Sequence, residues 1–137
     1  MRWFGRIMIV VDASVLAPAL ADDFADGDLA RTALRGQELT APELLDLEVA
    51  SVLRRQGASG LLSVRRAEQA LADLAALPVR RVRHAPLLPR CWELGQNLTV
   101  YDASYVALAE LLDIALLTAD ERLSTAPGVR CEMRLLQ

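Results

Sequence analysis

The stretch IMIVVDASVL, residues 7–16, decides the fold class of this chain. Its first five residues are apolar and end at Asp12, a pattern that predicts a short β-strand buried on both faces, as in parallel sheets. Residues 14–20 have the composition of a short helix, which we expect Pro18 to interrupt. The stretch therefore predicts the central first strand of an α/β sheet, followed directly by a helix.

Predicted helices and strands alternate along the rest of the chain. Helices are predicted at residues 26–35, 42–56, 63–77, 87–98 and 101–112, with a short helical turn at 120–123. Strands are predicted at residues 38–41, 79–83 and 115–118 and near 131–136. Pro42 opens one helix, Gly57 closes it, and Ser63 caps the next. The expected fold class is α/β, a three-layer α/β/α sandwich with a mostly parallel central sheet of about five strands.

The composition is that of a globular domain. The chain has 137 residues and a mass of 15.0 kDa, with 53% apolar and 24% charged residues, which excludes an intrinsically disordered chain. The longest proline-free apolar runs span about five or six residues, too short to cross a bilayer. The N-terminus also lacks the apolar segment of a signal peptide. We therefore expect a single domain over residues 1–137, located in the cytoplasm and without membrane contact.

The basic residues and the cysteines exclude several classes of site. All 15 basic residues are arginine, so mechanisms that need a lysine, such as Walker phosphate loops and Schiff bases, are excluded, and no nucleotide cofactor is expected. One histidine, His84, and two distant cysteines, Cys91 and Cys131, cannot form a zinc site. We expect both cysteines to be free thiols.

Three aspartates lie at positions where parallel α/β sheets bind ligands. Asp12 follows the first predicted strand, and Asp120 comes two residues after the strand at 115–118. Each could instead be an ordinary helix N-cap. Asp102 lies in the first turn of the helix at 101–112, where a carboxylate also complements the helix dipole. The three residues are candidates for one acidic site at the carboxyl end of the sheet.

Glu48 lies within the apolar stripe of the helix predicted at residues 42–56. The stripe consists of Leu44, Leu45, Val49, Val52 and Leu53. A carboxylate in such a stripe must be paired or bound to a metal. Glu43 and Asp46, on the same helix, are expected to face solvent and to complement the helix N-terminus. Glu48 is therefore the acid of this helix that most needs a functional explanation.

The four acids together indicate a hard divalent cation. Clustered carboxylates stay ionised at low cost only when a cation lies among them. With no histidine, cysteine or lysine to assist, oxygen ligands favour Mg²⁺ or Mn²⁺. The chemistry expected of such a site is metal-assisted phosphoryl transfer, with water as the nucleophile.

The chain resembles the PIN-domain ribonucleases, and among them the VapC-type toxins of bacterial toxin-antitoxin pairs. The matching stretches occur in family order: VVDASVL (10–16), PELLDLEVASVLRR (42–55), YDASYVALAELL (101–112) and LLTADERL (116–123). The resemblance implies a PIN-like fold and a quartet of catalytic and metal-binding acids, which falls on Asp12, Glu48, Asp102 and Asp120. It also implies an endoribonuclease that depends on Mg²⁺, or on Mn²⁺, and cleaves RNA.

Two hydroxyl residues and the N-terminus also bear on the comparison with the family. Ser14 and Thr118 match hydroxyl positions that hold the waters of the metal or a carboxylate, although ordinary roles at a helix start and a strand end remain open. Ser51 stands where many members carry asparagine. Residues 1–7 precede the usual start of the family, so they are expected to form an N-terminal extension, with Met8 as an alternative initiator.

The resemblance further implies a cognate VapB-type antitoxin as partner and a homodimer. The formal charge of −3 and the pI near 5.1 argue against general affinity for nucleic acid, so contacts with RNA must be local. Arg122, just after Asp120, is the candidate for touching a phosphate near the acids. The Ala- and Leu-rich helices over residues 42–76 have more apolar surface than one sheet face covers, which predicts an exposed groove or a dimer face.

Two other functional classes compete with a toxin ribonuclease. A catalytically silent PIN scaffold that binds RNA or a partner protein would have no need to keep Glu48 in an apolar stripe. A haloacid-type phosphatase uses an aspartate nucleophile after its first strand, but VVDASVL (10–16) lacks the second aspartate of that class and the chain lacks its lysine. We therefore predict a metal-dependent endoribonuclease that blocks translation as the toxin of a type II toxin-antitoxin pair.

Overall fold

A computed structural model describes residues 2–3 and 6–137 of the chain, with side chains from residue 7 onward. Residues 1–6 make up most of the predicted N-terminal extension, and their side chains lie outside this described part. Within the described residues, no helix combines the length and the apolar character needed to cross a membrane.

The core of the fold is a parallel β-sheet. Its strands are β2 (Arg6–Val11), β3 (Gln37–Pro42), β4 (Arg80–Val82), β5 (Leu116–Thr118) and β6 (Met133–Leu135). They pair in the order β4-β3-β2-β5-β6, all parallel, and the short β1 (Arg2–Trp3) pairs antiparallel with β2. Because β2 is central, its residues Val10 and Val11 are fully buried. The predicted five parallel strands are therefore confirmed.

Helices flank the sheet and complete the sandwich. They are α1 (Ala13–Ala21), α2 (Ala25–Leu34), α3 (Leu44–Ala58), α4 (Val64–Ala76), α5 (Leu88–Glu93), α6 (Val100–Leu112) and α7 (Glu121–Ser124), with a 3₁₀ turn at Ala85–Leu87. The first four pack together around α1, whereas α6 packs against α5 and against β2 and β3. The predicted α/β class is confirmed, and the N-cap predicted at Ser63 accepts a hydrogen bond from the Arg66 amide at 3.0 Å.

Proline positions account for two wrong boundary predictions. Helix α1 does not stop at Pro18, which lies inside it and whose carbonyl accepts the Asp22 amide at 2.9 Å. The proline removes a single hydrogen bond, to the carbonyl of Ser14, and burial of the α1 residues among α2, α3, α4 and β5 outweighs that loss. Pro42 does not open a helix but ends β3, where it pairs with Val82 of β4.

Two helix ends also differ from the prediction. Gly57 lies within α3, which continues to Ala58, and Gly60 adopts a φ of +83° just after the helix. The single helix predicted over residues 87–98 is a 3₁₀ turn followed by the six residues of α5. Neither difference moves the candidate site.

The topology brings the amino ends of three helices to one edge of the sheet. Asp12 is the N-cap of α1 directly after β2, and Asp120 is the N-cap of α7 after β5. Thr99 caps α6, so Asp102 lies in the first turn of that helix. Helix α3 starts two residues beyond β3 and carries Glu48. Asp12, Asp120 and the helix of Glu48 thus follow the carboxyl ends of three parallel strands, where α/β sheets bind ligands, whereas Asp102 is supplied by α6, which follows α5 and not a strand.

Candidate active site

Asp12 is buried, and both of its carboxylate oxygens accept hydrogen bonds. Only 7% of its surface is exposed. Its Oδ1 accepts the backbone amide of Ser14 at 3.1 Å and the Ser14 hydroxyl at 2.6 Å, while its Oδ2 accepts the hydroxyl of Thr118 at 2.6 Å. Asp12 is therefore the N-cap of α1, and its other oxygen is bound by the last residue of β5, the strand that precedes Asp120.

Ser14 and Thr118 join two elements around that carboxylate. Each hydroxyl donates to Asp12 and accepts a backbone amide: Ala119 N–H to Ser14 Oγ at 2.8 Å, and Asp120 N–H to Thr118 Oγ1 at 3.0 Å. The two hydroxyl oxygens are 3.3 Å apart. The start of α1 and the end of β5 are thereby fixed to one another, and we call Asp12, Ser14 and Thr118 the buried half-site.

The environment of Asp12 disfavours its charge. Burial raises the pKa of its carboxyl to about 6, although the hydrogen bonds from Ser14 and Thr118 act in the opposite direction. A carboxylate with this environment binds either a proton or a nearby cation more strongly than an exposed aspartate does.

Asp102 and Asp120 meet through an arginine. Oδ1 of Asp120 caps α7 by accepting the amides of Arg122 at 3.0 Å and Leu123 at 3.3 Å. One guanidinium nitrogen of Arg122, Nη2, lies 3.1 Å from Oδ2 of Asp102 and 3.3 Å from Oδ2 of Asp120. Arg122, predicted as a phosphate contact, is therefore engaged within the protein, and we call Asp102, Asp120 and Arg122 the rim half-site.

Glu48 is held by a tyrosine that sequence reasoning did not single out. The Tyr105 hydroxyl donates to Oε1 of Glu48 at 2.5 Å, and Tyr105 is only 1% exposed. Burial raises the pKa of Glu48, the bond from Tyr105 opposes that shift, and the charge of Asp102 adds to it. Tyr105 follows Asp102 by three residues on α6, so it shares a face with a candidate acid, which is the signal that could have found it.

The acids next to Glu48 behave differently from one another. Glu43 is exposed, as predicted. Asp46 is not a free solvent-facing acid, because Arg81 binds it at 2.8 Å, so that prediction is wrong. Arg81 also donates to three carbonyls near the end of α4, those of Leu74, Leu77 and Val79. The side chain of Arg81 thus fastens β4 to α3 and α4.

The four candidate acids occupy one edge of the sheet without forming a compact cage. Among the residues that the structure describes, no group of three or more His, Cys, Asp and Glu side chains is placed to hold a metal ion in this conformation. The Thr118 hydroxyl binds the Asp12 carboxylate and the backbone amide of Asp120. Arg122 binds the carboxylates of Asp120 and Asp102, and the charge of Asp102 raises the pKa of Glu48. The guanidinium of Arg122 supplies a positive charge between two of these acids, Asp102 and Asp120.

The fold and this acidic edge define a nuclease-like α/β domain, and comparison with known proteins gives its family. The model of the PIN domain matches residues 9–129, and the chain belongs to the PIN-domain family.

Among its relatives is Ribonuclease VapC1 of Mycobacterium tuberculosis (strain H37Rv), 44% identical over 129 residues that cover 93% of this chain and 97% of the relative. The solved structure of Mycobacterium tuberculosis VapC20, described as a sarcin-ricin loop cleaving toxin, shares the fold with a TM-score of 0.69 at 21% identity, covering 89% of this chain and 96% of the other. A toxin-antitoxin complex from Klebsiella pneumoniae gives a TM-score of 0.65 at 19% identity, covering 89% and 95%.

Proposed function

We propose that this chain is a metal-dependent endoribonuclease and the toxin of a type II toxin-antitoxin pair, acting on RNA in the cytoplasm. The observation that carries the proposal is the connected set of acids Asp12, Glu48, Asp102 and Asp120 at the ligand-binding edge of a PIN-domain sheet. Identity of 44% with a ribonuclease over nearly the whole length supports the same chemistry.

The chemistry of the residues fits Mg²⁺ or Mn²⁺. All candidate ligands are oxygen atoms of carboxylates and hydroxyls, which hard divalent cations prefer. Burial raises the pKa of Asp12, so a bound cation would offset the cost of its charge, and the guanidinium of Arg122 already lies between the carboxylates of Asp102 and Asp120. We infer that Asp12, Glu48, Asp102 and Asp120 would hold the cation, which when bound activates water and stabilises the leaving oxygen.

The protein's own groups orient these acids. Ser14 and Thr118 donate to Asp12 and fix both of its oxygens, so this carboxylate cannot rotate freely. Tyr105 binds Oε1 of Glu48 and so restricts the orientation of this carboxylate as well. Such orientation before binding lowers the reorganisation that the reaction requires.

An apolar groove lies on the outer face of α3 and α4. Two adjoining cavities there, of about 340 and 540 Å³, share Ala50 and Leu71 as lining residues. Leu47 and Leu71 are 71% and 46% exposed along them. We propose that a VapB-type antitoxin lays an amphipathic helix in this groove; a homodimer through the same surface is the alternative.

A copurification experiment tests the partner surface. Leu71→Asp should abolish copurification with the co-expressed antitoxin, whereas Leu111→Asp, at a leucine 63% exposed on α6, should not. Retention of the antitoxin by Leu71→Asp would place its binding site elsewhere, and sedimentation of the free chain would show whether it is a dimer.

The activity is tested directly on a structured RNA. The chain, separated from its antitoxin, should cleave the RNA with Mg²⁺ or Mn²⁺, lose activity in EDTA and regain it when the cation is restored. Asp12→Asn, prepared in parallel, should cleave under none of these conditions. Cleavage that persists in EDTA would contradict metal dependence, and RNA binding without cleavage in every condition would favour a silent PIN scaffold.

A further inference from the structure

The guanidinium of Arg122 occupies the only oxygen that Asp120 has left to offer. Oδ1 of Asp120 is used by the two amides at the start of α7, and Oδ2 is bound by Nη2 of Arg122. The same nitrogen binds Oδ2 of Asp102. A cation that bridges these two acids must therefore use Oδ2 of Asp120, the atom that Arg122 now contacts, and would lie beside the guanidinium that also binds Asp102.

Charge repulsion disfavours binding of a divalent cation and the Arg122 guanidinium to the same carboxylates. Arg122 holds together two carboxylates that belong to different helices and would otherwise repel each other. A divalent cation bound to the same oxygens would lie within a few ångströms of the guanidinium, and like charges at that distance repel strongly at a partly shielded site. The guanidinium and the cation are thus alternatives and not partners.

The side chain of Arg122 is held by few contacts. Its side chain is 65% exposed, and its described polar contacts are with Asp102 and Asp120 alone. By contrast, Arg90 is 19% exposed and is tied to Glu93, Glu110 and the carbonyl of Gly128. Release of Arg122 would cost only its two exposed ion pairs, which are weak individually.

We propose that Arg122 is a built-in competitor of the divalent cation: it holds Asp102 and Asp120 in the cation-free protein and must release them before a cation binds. The inference rests on the proposed function, since it assumes that the rim half-site takes part in cation binding. Its consequence is that Arg122 weakens cation affinity and so sets the cation concentration at which the site fills.

Calorimetric titration with Mn²⁺, without RNA, tests the proposal independently of activity. Arg122→Gln removes the charge, and Arg122→Met also retains an unbranched apolar side chain; both should bind Mn²⁺ at least about fivefold more tightly than the natural chain. Arg134→Gln is the matched control, because Arg134 also forms an exposed ion pair, with Glu132, in a different part of the molecule. Its affinity for Mn²⁺ should stay within about twofold of the natural value.

The titration distinguishes failure of the competition by Arg122 from failure of the proposed metal site. If the natural chain binds Mn²⁺ and both Arg122 variants, folded by circular dichroism, bind it equally or more weakly, the competition is refuted and the proposed metal site stands. If neither the natural chain nor any variant binds Mn²⁺, the proposed metal dependence fails, and the competition fails with it.

Discussion

The two halves of the candidate site are built in different ways. In the buried half-site, Asp12 is 7% exposed and every contact is a short hydrogen bond to a hydroxyl or amide fixed by α1 and β5. In the rim half-site, Asp102 and Asp120 are joined only by an arginine that is 65% exposed. The fold itself positions Asp12 and, through two amides at the start of α7, one oxygen of Asp120, whereas an exposed guanidinium links Asp120 to Asp102. We therefore expect the contacts of the rim half-site to change more readily on ligand binding than those of the buried half-site.

The first prediction is that the rim half-site is essential for RNA cleavage. Asp102→Asn should lower the rate of RNA cleavage by at least about 100-fold, the scale for losing a directed electrostatic contact in a catalytic site. Glu43→Gln is the control, because Glu43 is exposed and no side-chain contact links it to the site. The control should change the rate by less than about threefold. Equal losses in both variants would contradict the assignment of the rim acids.

The second prediction concerns the stability gained from the cation. Mn²⁺ at about 100 times its dissociation constant should stabilise the folded chain by about 2.7 kcal/mol, which corresponds to a rise in melting temperature of roughly 5–10 °C. Asp12→Asn should lose at least half of that rise, because the buried half-site provides the best-ordered ligand. Differential scanning calorimetry of both proteins checks this. A full rise in the variant would mean that the ion binds outside the buried half-site.

The third prediction follows from the raised pKa of Asp12. Burial raises its folded-state pKa to about 6, above the value of an unfolded aspartate, so the folded chain binds more protons than the unfolded chain between about pH 4 and pH 6. The contribution of Asp12 to stability is therefore present below that window and is lost as the pH rises through it. The loss amounts to about 3 kcal/mol at most.

Urea unfolding in EDTA checks this sign. The cation-free natural chain should lose stability relative to Asp12→Asn as the pH rises from 4 to 7. The stability difference should therefore shift in favour of Asp12→Asn by up to about 3 kcal/mol between pH 4 and pH 7 in EDTA, whereas in Mn²⁺ this variant should be the less stabilised protein. A constant difference between the two proteins across this pH range would show that the carboxyl of Asp12 is not destabilised by burial.

The sequence predicted the acids at strand ends better than the contacts between helices, for a physical reason. Asp12 and Asp120 follow apolar strands and Thr118 ends one of them, and strand ends in a parallel sheet meet at one edge whatever the details of helix packing. The contact of Tyr105 with Glu48 joins residues 57 apart on α6 and α3, and it depends on how two helices approach each other. The same holds for Arg122, whose neighbour could equally have been an RNA phosphate as far as the sequence indicates.

Local rules failed where packing overrode them. Pro18 was expected to interrupt a helix, but α1 is buried among α2, α3, α4 and β5, and that burial compensates for one missing hydrogen bond. Pro42 was placed in a helix, but its pairing with β4 extends β3. Both errors lie at boundaries, and neither changed the strand order or the position of an acid.

The last prediction concerns Tyr105, which links α3, the helix of Glu48, to α6, the helix of Asp102. Tyr105→Phe removes the hydroxyl that donates to Oε1 of Glu48 and that opposes the effect of burial on the pKa of this carboxyl. The pKa of Glu48 should therefore rise further, and the acid limb of the pH–rate profile should move to higher pH. The rate at the optimum should fall by about tenfold, since Glu48 keeps its charge there but loses its orientation.

Tyr101→Phe is the matched control, because Tyr101 lies on the same helix but is 61% exposed. It should leave both the rate and the pH profile unchanged. The direct measurement is titration of the Glu48 carboxyl carbon by NMR in the cation-free chain, which does not depend on activity. If its midpoint stays fixed in Tyr105→Phe while the rate falls, Tyr105 acts through the packing of α6 on α3 and not through Glu48.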